Sequence, residues 1–192
     1  MRNPAKTGRL PFGINILEDR DSSKEEAENV EEEIQIFLDS SAMNGKVGTA
    51  VTLMRAGQPD RTLHYHLGPD SEHTVHKAEL ISIMLGVHLV KTEKKGNTSF
   101  AIGVDNQATL KAFELDLRRP ALHLAHEIIH TANILQKTRR KKKYSLQLQW
   151  TAGHEGIEGN EKADQEAKAD QEAKAAAEGK QLNKKSLPPY LR

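Results

Sequence analysis

The chain has 192 residues, enough for one domain of ordinary size with flanking segments. It contains no cysteine, which excludes disulfide bonds and thiolate zinc sites. The formal net charge is +1 at pH 7, so any attraction to nucleic acid must come from a local cluster such as the basic run at 137–143.

Composition divides the chain into three parts. Residues 1–33 have few apolar positions and turn acidic at 24–28, which predicts a partly ordered N-terminal arm with one short helix. A compact domain is predicted for 34–178, followed by a basic C-terminal tail at 179–192. No apolar run approaches membrane-spanning length and no signal-peptide segment is present. We therefore expect no membrane partner and an intracellular location, in the nucleus or the cytoplasm.

Apolar periodicity predicts nine elements in the order β-β-β-α-β-α-α-β-α. Asn44-Gly45 is a hairpin signal between the first two strands, and Ser71 and Thr74 are alternative caps for the first helix. Three hairpin-linked strands followed by helical crossovers indicate an α/β fold, with a mixed five-stranded sheet and helices on its faces. The predicted elements span residues 34–40, 47–55, 61–67, 71–94, 99–104, 106–117, 121–141, 146–150 and 158–178.

Four acidic residues stand where the predicted fold can bring them together. Asp39 and Asp105 each follow an apolar strand, and ligands of such sheets bind beyond the carboxyl ends of the parallel strands. Glu79 lies within an apolar helix, where a carboxylate is costly unless it is paired or metal-bound, and Asp164 lies on the last helix. Converging carboxylates repel one another unless a cation neutralises them, and Mg²⁺ or Mn²⁺ favours such oxygen ligands. Two ions roughly 3.5–4 Å apart can activate water against a phosphodiester.

Each of these residues also has a simpler explanation. Asp105 is suited to cap the helix that follows it, and Asp39 is suited to a turn. Asp164 lies in a helix rich in charged residues, where a solvated face is the default. His154, which lies in a glycine-rich segment, is a loop histidine with or without a function. The order of two strand-end acids, a core-helix acid and a last-helix acid favours one shared site over four separate explanations.

Four short motifs, at 37–41, 77–80, 104–108 and 153–164, together resemble those of the ribonuclease H domain family. The match covers residues 34–178, and the likeness is strongest to the ribonuclease H domains of fungal non-LTR retrotransposon polyproteins, whose flanking segments also look similar. This resemblance implies a ribonuclease H-like fold and endonucleolytic cleavage of the RNA strand of an RNA–DNA hybrid. It also implies a reverse transcriptase domain as a partner within the parent polyprotein.

The resemblance further implies a role for each site residue. Asp39 bridges two Mg²⁺ ions, Glu79 and Asp105 bind one of them, and Asp164 binds the other; Mn²⁺ can substitute. His154 lies in a mobile loop that helps the product leave. The alternative is a catalytically silent ribonuclease H-like module that binds nucleic acid or braces a polymerase domain, and the complete acidic set argues against it.

Contacts with the hybrid are less clearly marked in the sequence. The family usually has glycine after the first aspartate, where this chain has Ser40, and cellular members carry Asn-Gln where this chain has Val75 and His76. Readout of 2′-hydroxyl groups is therefore expected to differ. The basic run either contacts phosphates or is a solvated helix end, and both interpretations stay open. The predicted nucleic-acid-binding residues are Asn44, Asn106, Gln107, Arg139, Arg140 and Lys141.

Overall fold

The computed structural model describes residues 10–28, 34–93, 98–114, 122–139, 144–153, 159–165 and 187–191. The strands within these ranges are β1 (Gly13–Asn15), β2 (Ile34–Met43), β3 (Lys46–Met54), β4 (Arg61–Pro69), β5 (Thr98–Val104) and β6 (Tyr144–Trp150). The helices are α1 (Arg20–Glu28), α2 (Val75–Thr92), α3 (Gln107–Glu114), α4 (Leu122–Thr138) and α5, which covers 159–165. A 3₁₀ turn follows at Pro189–Leu191.

The six strands form one mixed sheet in the order β1-β6-β5-β2-β3-β4. β2, β3 and β4 are antiparallel neighbours, whereas β1, β6, β5 and β2 run parallel. The prediction of an α/β fold with a mixed sheet and helices is confirmed, but the expected number of five strands is wrong. The additional strand, β1, places only three residues on the edge beside β6, and so short a run carries no readable alternation.

A tight turn joins β2 to β3. Met43 pairs with Lys46, and the two residues between them, Asn44 and Gly45, have φ angles of 54° and 73°. Positive φ at both central positions is typical of a type I′ turn, which matches the twist of the flanking strands and favours asparagine followed by glycine. The predicted hairpin is therefore confirmed.

Helix α2 packs against the middle of one face of the sheet. Thr74 Oγ1 accepts a hydrogen bond from the Lys77 N–H (3.2 Å), so Thr74 caps the helix and the helix begins at Val75 rather than at residue 71. A Cβ added to Gly86 would lie 3.3 Å from Leu38 Cδ2. The absent side chain therefore lets the helix approach β2 closely.

The opposite face of β2 is covered by α5. Phe37 points to the other side of the strand from its neighbour Leu38, and it packs against Ala163 of α5. A Cβ added to Gly159 would lie 2.1 Å from the Phe37 ring, a distance that no packed side chain can adopt. Glycine at this position is what allows the start of α5 to rest directly on the sheet.

Residues from both flanking segments contribute to the core. Phe12 is buried edge-on against the ring of Phe113, with centroids 5.6 Å apart. Leu187 is buried in the same cluster. The part of the chain that the structure describes holds no helix with the length and apolar character needed to cross a membrane. The domain limits at residues 34 and 178 stay predictions.

Candidate active site

Asp39 lies within β2, and Asp105 directly follows β5, its parallel neighbour. Phe37 of β2 pairs with Gly103 of β5. This is the last pair of the β2–β5 ladder, and Asp39 and Asp105 each follow it by two residues on their own segments. Asp39 is half-buried, with its Oδ2 atom enclosed, whereas Asp105 is exposed. The two acids therefore lie near the end of the same parallel pairing, and their meeting in one site stays a prediction.

Glu79 is joined to the same edge through α3. Asn106 Nδ2 donates to Glu79 Oε1 (2.9 Å), and Thr109 Oγ1 donates to Glu79 Oε2 (2.6 Å). His76 Nδ1 lies 3.5 Å from Oε2. Two neutral donors therefore hold a carboxylate that α2 would otherwise bury at considerable cost.

Asn106, rather than Asp105, caps α3. Its Oδ1 atom accepts hydrogen bonds from the N–H groups of Ala108 (2.8 Å) and Thr109 (3.3 Å). The simpler explanation of Asp105 as a helix cap is therefore wrong. The residue after Asp105 therefore satisfies the N-terminus of α3.

The segment after β6 lies against Asp105. The indole N–H of Trp150 donates to the Asp105 carbonyl (3.1 Å), and a Cβ added to Gly153 would lie 3.7 Å from Asp105 Cβ. The Thr151 N–H donates to the Val104 carbonyl (2.9 Å), which extends the β5–β6 pairing up to this point. The backbone of Asp105 is thus fixed from the β6 side.

Asp164 is carried to the sheet by α5. Its exposed fraction is 8%, so the simpler explanation of a solvated helix face is wrong for this residue. Its neighbour Ala163 packs against Phe37, two residues before Asp39 on β2. An ion pair between Lys162 and Asp60 also ties α5 to the turn between β3 and β4.

The donor chemistry of these residues fits Mg²⁺. All four acids offer hard carboxylate oxygens, the ligands that Mg²⁺ prefers in proteins. Within the ranges that the structure describes, no three acidic or histidine side chains already form a group arranged to hold a metal ion. Mg²⁺ usually keeps several waters, which complete its coordination beside the carboxylates.

A model of the RNase H family matches residues 31–172, which is more than half of the chain. The chain belongs to the ribonuclease H family. Among solved structures it is similar to the PFV RNase H domain, determined in solution, with a TM-score of 0.55 and 15% identity over 74% of this chain and 96% of that one. It is also similar to the crystal structure of RNase H1 from the halophilic archaeon Halobacterium salinarum NRC-1, with a TM-score of 0.48 and 12% identity over 71% of this chain and 98% of that one. No curated protein matches the sequence.

Three predicted hybrid contacts of this ribonuclease H have described positions near the sheet edge or on the hairpin. Asn44 is exposed in the turn between β2 and β3. Asn106 uses both ends of its amide internally, on Glu79 and on the N-terminus of α3. Gln107 Oε1 accepts from Lys111 Nζ (3.0 Å) at the surface. The structure thus gives Asn106 a positioning role, while contacts of all three with a hybrid stay predictions.

The Arg139 side chain lies in internal contacts. Its Nη2 atom donates to the carbonyl oxygens of Val90 (3.0 Å) and Glu93, at the C-terminal end of α2. Its guanidinium lies over the rings of Phe100 and Tyr144, 5.4 and 5.6 Å from their centroids. Burial raises the pKa of the Tyr144 phenol to about 12, and the charge of Arg139 offsets part of that increase. Arg139 therefore links α2, α4 and the sheet, and its predicted contact with nucleic acid stays untested.

Several predicted residues lie outside the described parts of the chain. These are His154, Arg140 and Lys141. Their assignments stay predictions.

Sequence reasoning missed Thr109 as a partner of Glu79. The residue is fully buried, and its hydroxyl lies one turn into α3 from the capping Asn106. The signal was present as a polar residue on the otherwise apolar inner side of a short helix. It could not be interpreted before α3 was known to pack beside the start of α2.

Proposed function

We propose that this ribonuclease H hydrolyses the RNA strand of RNA–DNA hybrids by a mechanism that uses two Mg²⁺ ions. The observation that carries the proposal is the β2–β5 register, in which Asp39 and Asp105 each lie two residues beyond the last pair, Phe37 and Gly103. Glu79 is bonded to Asn106, the residue after Asp105, and Ala163, the neighbour of the buried Asp164, packs against Phe37 of β2. These links between the elements that carry the four acids support one shared site.

Each residue has a distinct task in this proposal. Asp39 would contribute to holding both ions, Glu79 and Asp105 would hold one of them, and Asp164 would hold the other. When bound, Mg²⁺ supplies an activated water and stabilises the leaving oxygen of the phosphodiester, and Mn²⁺ can substitute. Asn106 and Thr109 orient the Glu79 carboxylate by donating to both of its oxygens. Such fixed partners limit the reorganisation needed at the moment of reaction.

Recognition of the hybrid is proposed to involve the start of α2. Val75 and His76 are both exposed there, one turn before Glu79. An exposed ring and an apolar side chain suit the shallow minor groove, in which 2′-hydroxyl groups distinguish RNA from DNA. His154 is proposed to lie in the loop that assists product release.

A reverse transcriptase domain is the proposed partner. The sequence motifs and flanking segments that resemble those of fungal non-LTR retrotransposon polyproteins support this, and they also suggest an intracellular location in the nucleus or cytoplasm. Pull-down of this chain with the polymerase domain of the same polyprotein tests the partnership.

Cleavage of an end-labelled RNA–DNA hybrid tests the activity. We expect cutting of the RNA strand with Mg²⁺ and none with a chelator. Double-stranded DNA, which lacks 2′-hydroxyl groups, is expected to stay intact. Double-stranded RNA in parallel measures discrimination between the two RNA-containing duplexes.

Asp105→Asn is the matched inactive variant. The amide keeps the shape of the side chain but loses the charge that holds the ion, so cleavage is expected to fall to the level seen without Mg²⁺. Its melting temperature without metal is expected to stay equal or rise, because one of several repelling carboxylates is removed. A hybrid that is bound but left uncut by the wild-type protein would instead support the catalytically silent module.

A further inference from the structure

Ser23 of α1 joins the N-terminal segment to the end of β6. The residue is 1% exposed. Its hydroxyl donates to the Trp150 carbonyl (3.0 Å) and accepts from the Ala152 N–H (2.9 Å). One side chain thus satisfies two backbone groups that lie 127 and 129 residues away in sequence.

The two bonds reproduce the pattern of a parallel β-bridge. β1 pairs with β6 only as far as Asn15 opposite Gln149. If the parallel ladder continued, the next bonded residue of β1 would donate its backbone N–H to the Trp150 carbonyl. Its own carbonyl would accept from the Ala152 N–H. The Ser23 hydroxyl takes over both functions after the chain has left the sheet. The end of β6 therefore keeps a partner on this side, and its buried polar groups are satisfied.

The segment that Ser23 holds is the one that fixes Asp105. The Trp150 indole N–H donates to the Asp105 carbonyl, and Gly153 lies against the Asp105 side chain. The hydroxyl of Ser23 is bonded to the carbonyl of that same Trp150. A displacement of residues 150–152 is thereby passed directly to the Asp105 backbone.

We propose that Ser23 is a positioning residue for Asp105 and acts through Trp150. The segment that carries it, α1 at Arg20–Glu28, precedes residues 31–172, which match the family model. This ribonuclease H would therefore depend on a part outside the matched region to complete its active site. The expected effect on catalysis rests on the proposed function, whereas the effect on Trp150 does not.

Ser23→Ala and Ser22→Ala form a matched pair of variants. Ser22 is adjacent and also bonds through its hydroxyl, but to Asp19 at the exposed N-terminal cap of α1 (2.9 Å). Both variants weaken α1, so a purely structural contribution appears in both. Only Ser23→Ala removes the bonds to Trp150 and Ala152.

Trp150 is the single tryptophan of the chain, so its fluorescence reports on this position alone. In the protein without metal, we expect Ser23→Ala to change the emission maximum and acrylamide quenching of Trp150, and Ser22→Ala to leave both unchanged. With hybrid and Mg²⁺, we expect kcat to fall about tenfold in Ser23→Ala, the range seen when partners of metal ligands are lost, with little change in KM. The Mg²⁺ concentration for half-maximal rate is expected to rise.

Unchanged emission and unchanged kcat in a folded Ser23→Ala protein would overturn the proposal, as would equal changes in Ser22→Ala. If the wild-type protein cuts no hybrid, the proposed function fails, and the Trp150 emission still decides the role of Ser23.

Trp150→Phe covers the case in which Ser23→Ala does not fold, because it removes the indole donor and keeps an aromatic ring. We expect Trp150→Phe to lower kcat, and Ser23→Ala to add little in that background because the two act in series. An unaltered kcat in Trp150→Phe contradicts the proposal.

Discussion

Glu79 and Glu93 lie near opposite ends of α2, a helix of 18 residues and so about 27 Å long. Their side chains are similarly buried, 12% and 8% exposed. Glu93 is bound by the guanidinium groups of Arg55 and Arg61, whereas Glu79 is held by the neutral donors Asn106 and Thr109. Burial alone therefore does not distinguish the two acids. They differ in their partners, which are two guanidinium groups for Glu93 and two neutral donors with the His76 imidazole at 3.5 Å for Glu79.

The largest contrast is expected from Glu79→Gln. The amide oxygen can keep the bond from Asn106, and the amide NH2 can donate to the Thr109 hydroxyl once that hydroxyl turns to accept. The charge that a cation needs is lost, so cleavage should fall about a hundredfold or more. The free energy of unfolding without metal is expected to change by less than about 0.5 kcal/mol, as for substitutions that break no essential contact. Hybrid cleavage and urea unfolding measure the two quantities. A stable variant with full activity would remove Glu79 from the site.

The next comparison distinguishes Asp164 from Asp170 as the proposed fourth metal ligand. The sequence at 163–168 is repeated at once at 169–174, so Asp164 and Asp170 have identical local contexts. Six residues along a continuing helix turn a side chain by about 240°, so only one of the two can face β2. We expect Asp164→Asn to lower cleavage strongly and to weaken Mg²⁺ binding, and Asp170→Asn to do neither. Calorimetric titration with Mg²⁺ and hybrid cleavage distinguish them, and the reverse result would shift the last motif by one copy.

Glu93→Gln is expected to act on stability alone. Removing one partner from a mostly buried ion pair leaves the remaining charge poorly solvated, and the partial exposure of Arg61 reduces the penalty, so we expect a loss of about 3 kcal/mol. Cleavage per folded molecule should match that of the wild-type protein. Urea unfolding paired with activity at low temperature tests this. A stability loss no greater than that of Glu79→Gln would mean that the two ends of α2 do not differ as described.

The smallest effect is expected from Tyr144→Phe. The Tyr144 ring lies under the Arg139 guanidinium, which bonds the C-terminal end of α2. Burial raises its pKa to about 12, above the ordinary value near 10. The folded state therefore favours the neutral phenol, and the stability that this gives is complete below pH 10 and is lost as the pH rises to 12. Tyr144→Phe should lose less stability than the wild-type protein over that window. Urea unfolding at pH 9 and at pH 11.5 makes the comparison, and parallel pH profiles would exclude the effect.

The sequence predicted the site acids more readily than the contacts that position them. Asp39 and Asp105 end apolar runs, and Glu79 interrupts one, so their placement follows from periodicity and the direction of parallel strands. From the sequence, either Asp105 or Asn106 could cap α3, since both residue types cap well. Which of them directly precedes the helix depends on where the strand ends. Their metal-binding roles stay predictions.

Features that depend on distant pairing were also beyond sequence reasoning. β1 has three residues and is recognisable only from its partner β6. Arg139 belongs to a basic run that suggested a surface for phosphates, yet its side chain bonds the end of α2. In both cases the partner that determines the structure is remote in sequence, so local composition does not reveal it.

The pairing of β1 with β6 has a consequence for biosynthesis. Trp150 is added 127 residues after Ser23, which at about 5–20 residues per second takes on the order of ten seconds. Until then α1 has no strand end to bind, and the Asp105 backbone, once made, lacks its indole donor. The nascent chain thus assembles this corner only after translation has passed β6, so α1 reaches its final place well after it is made.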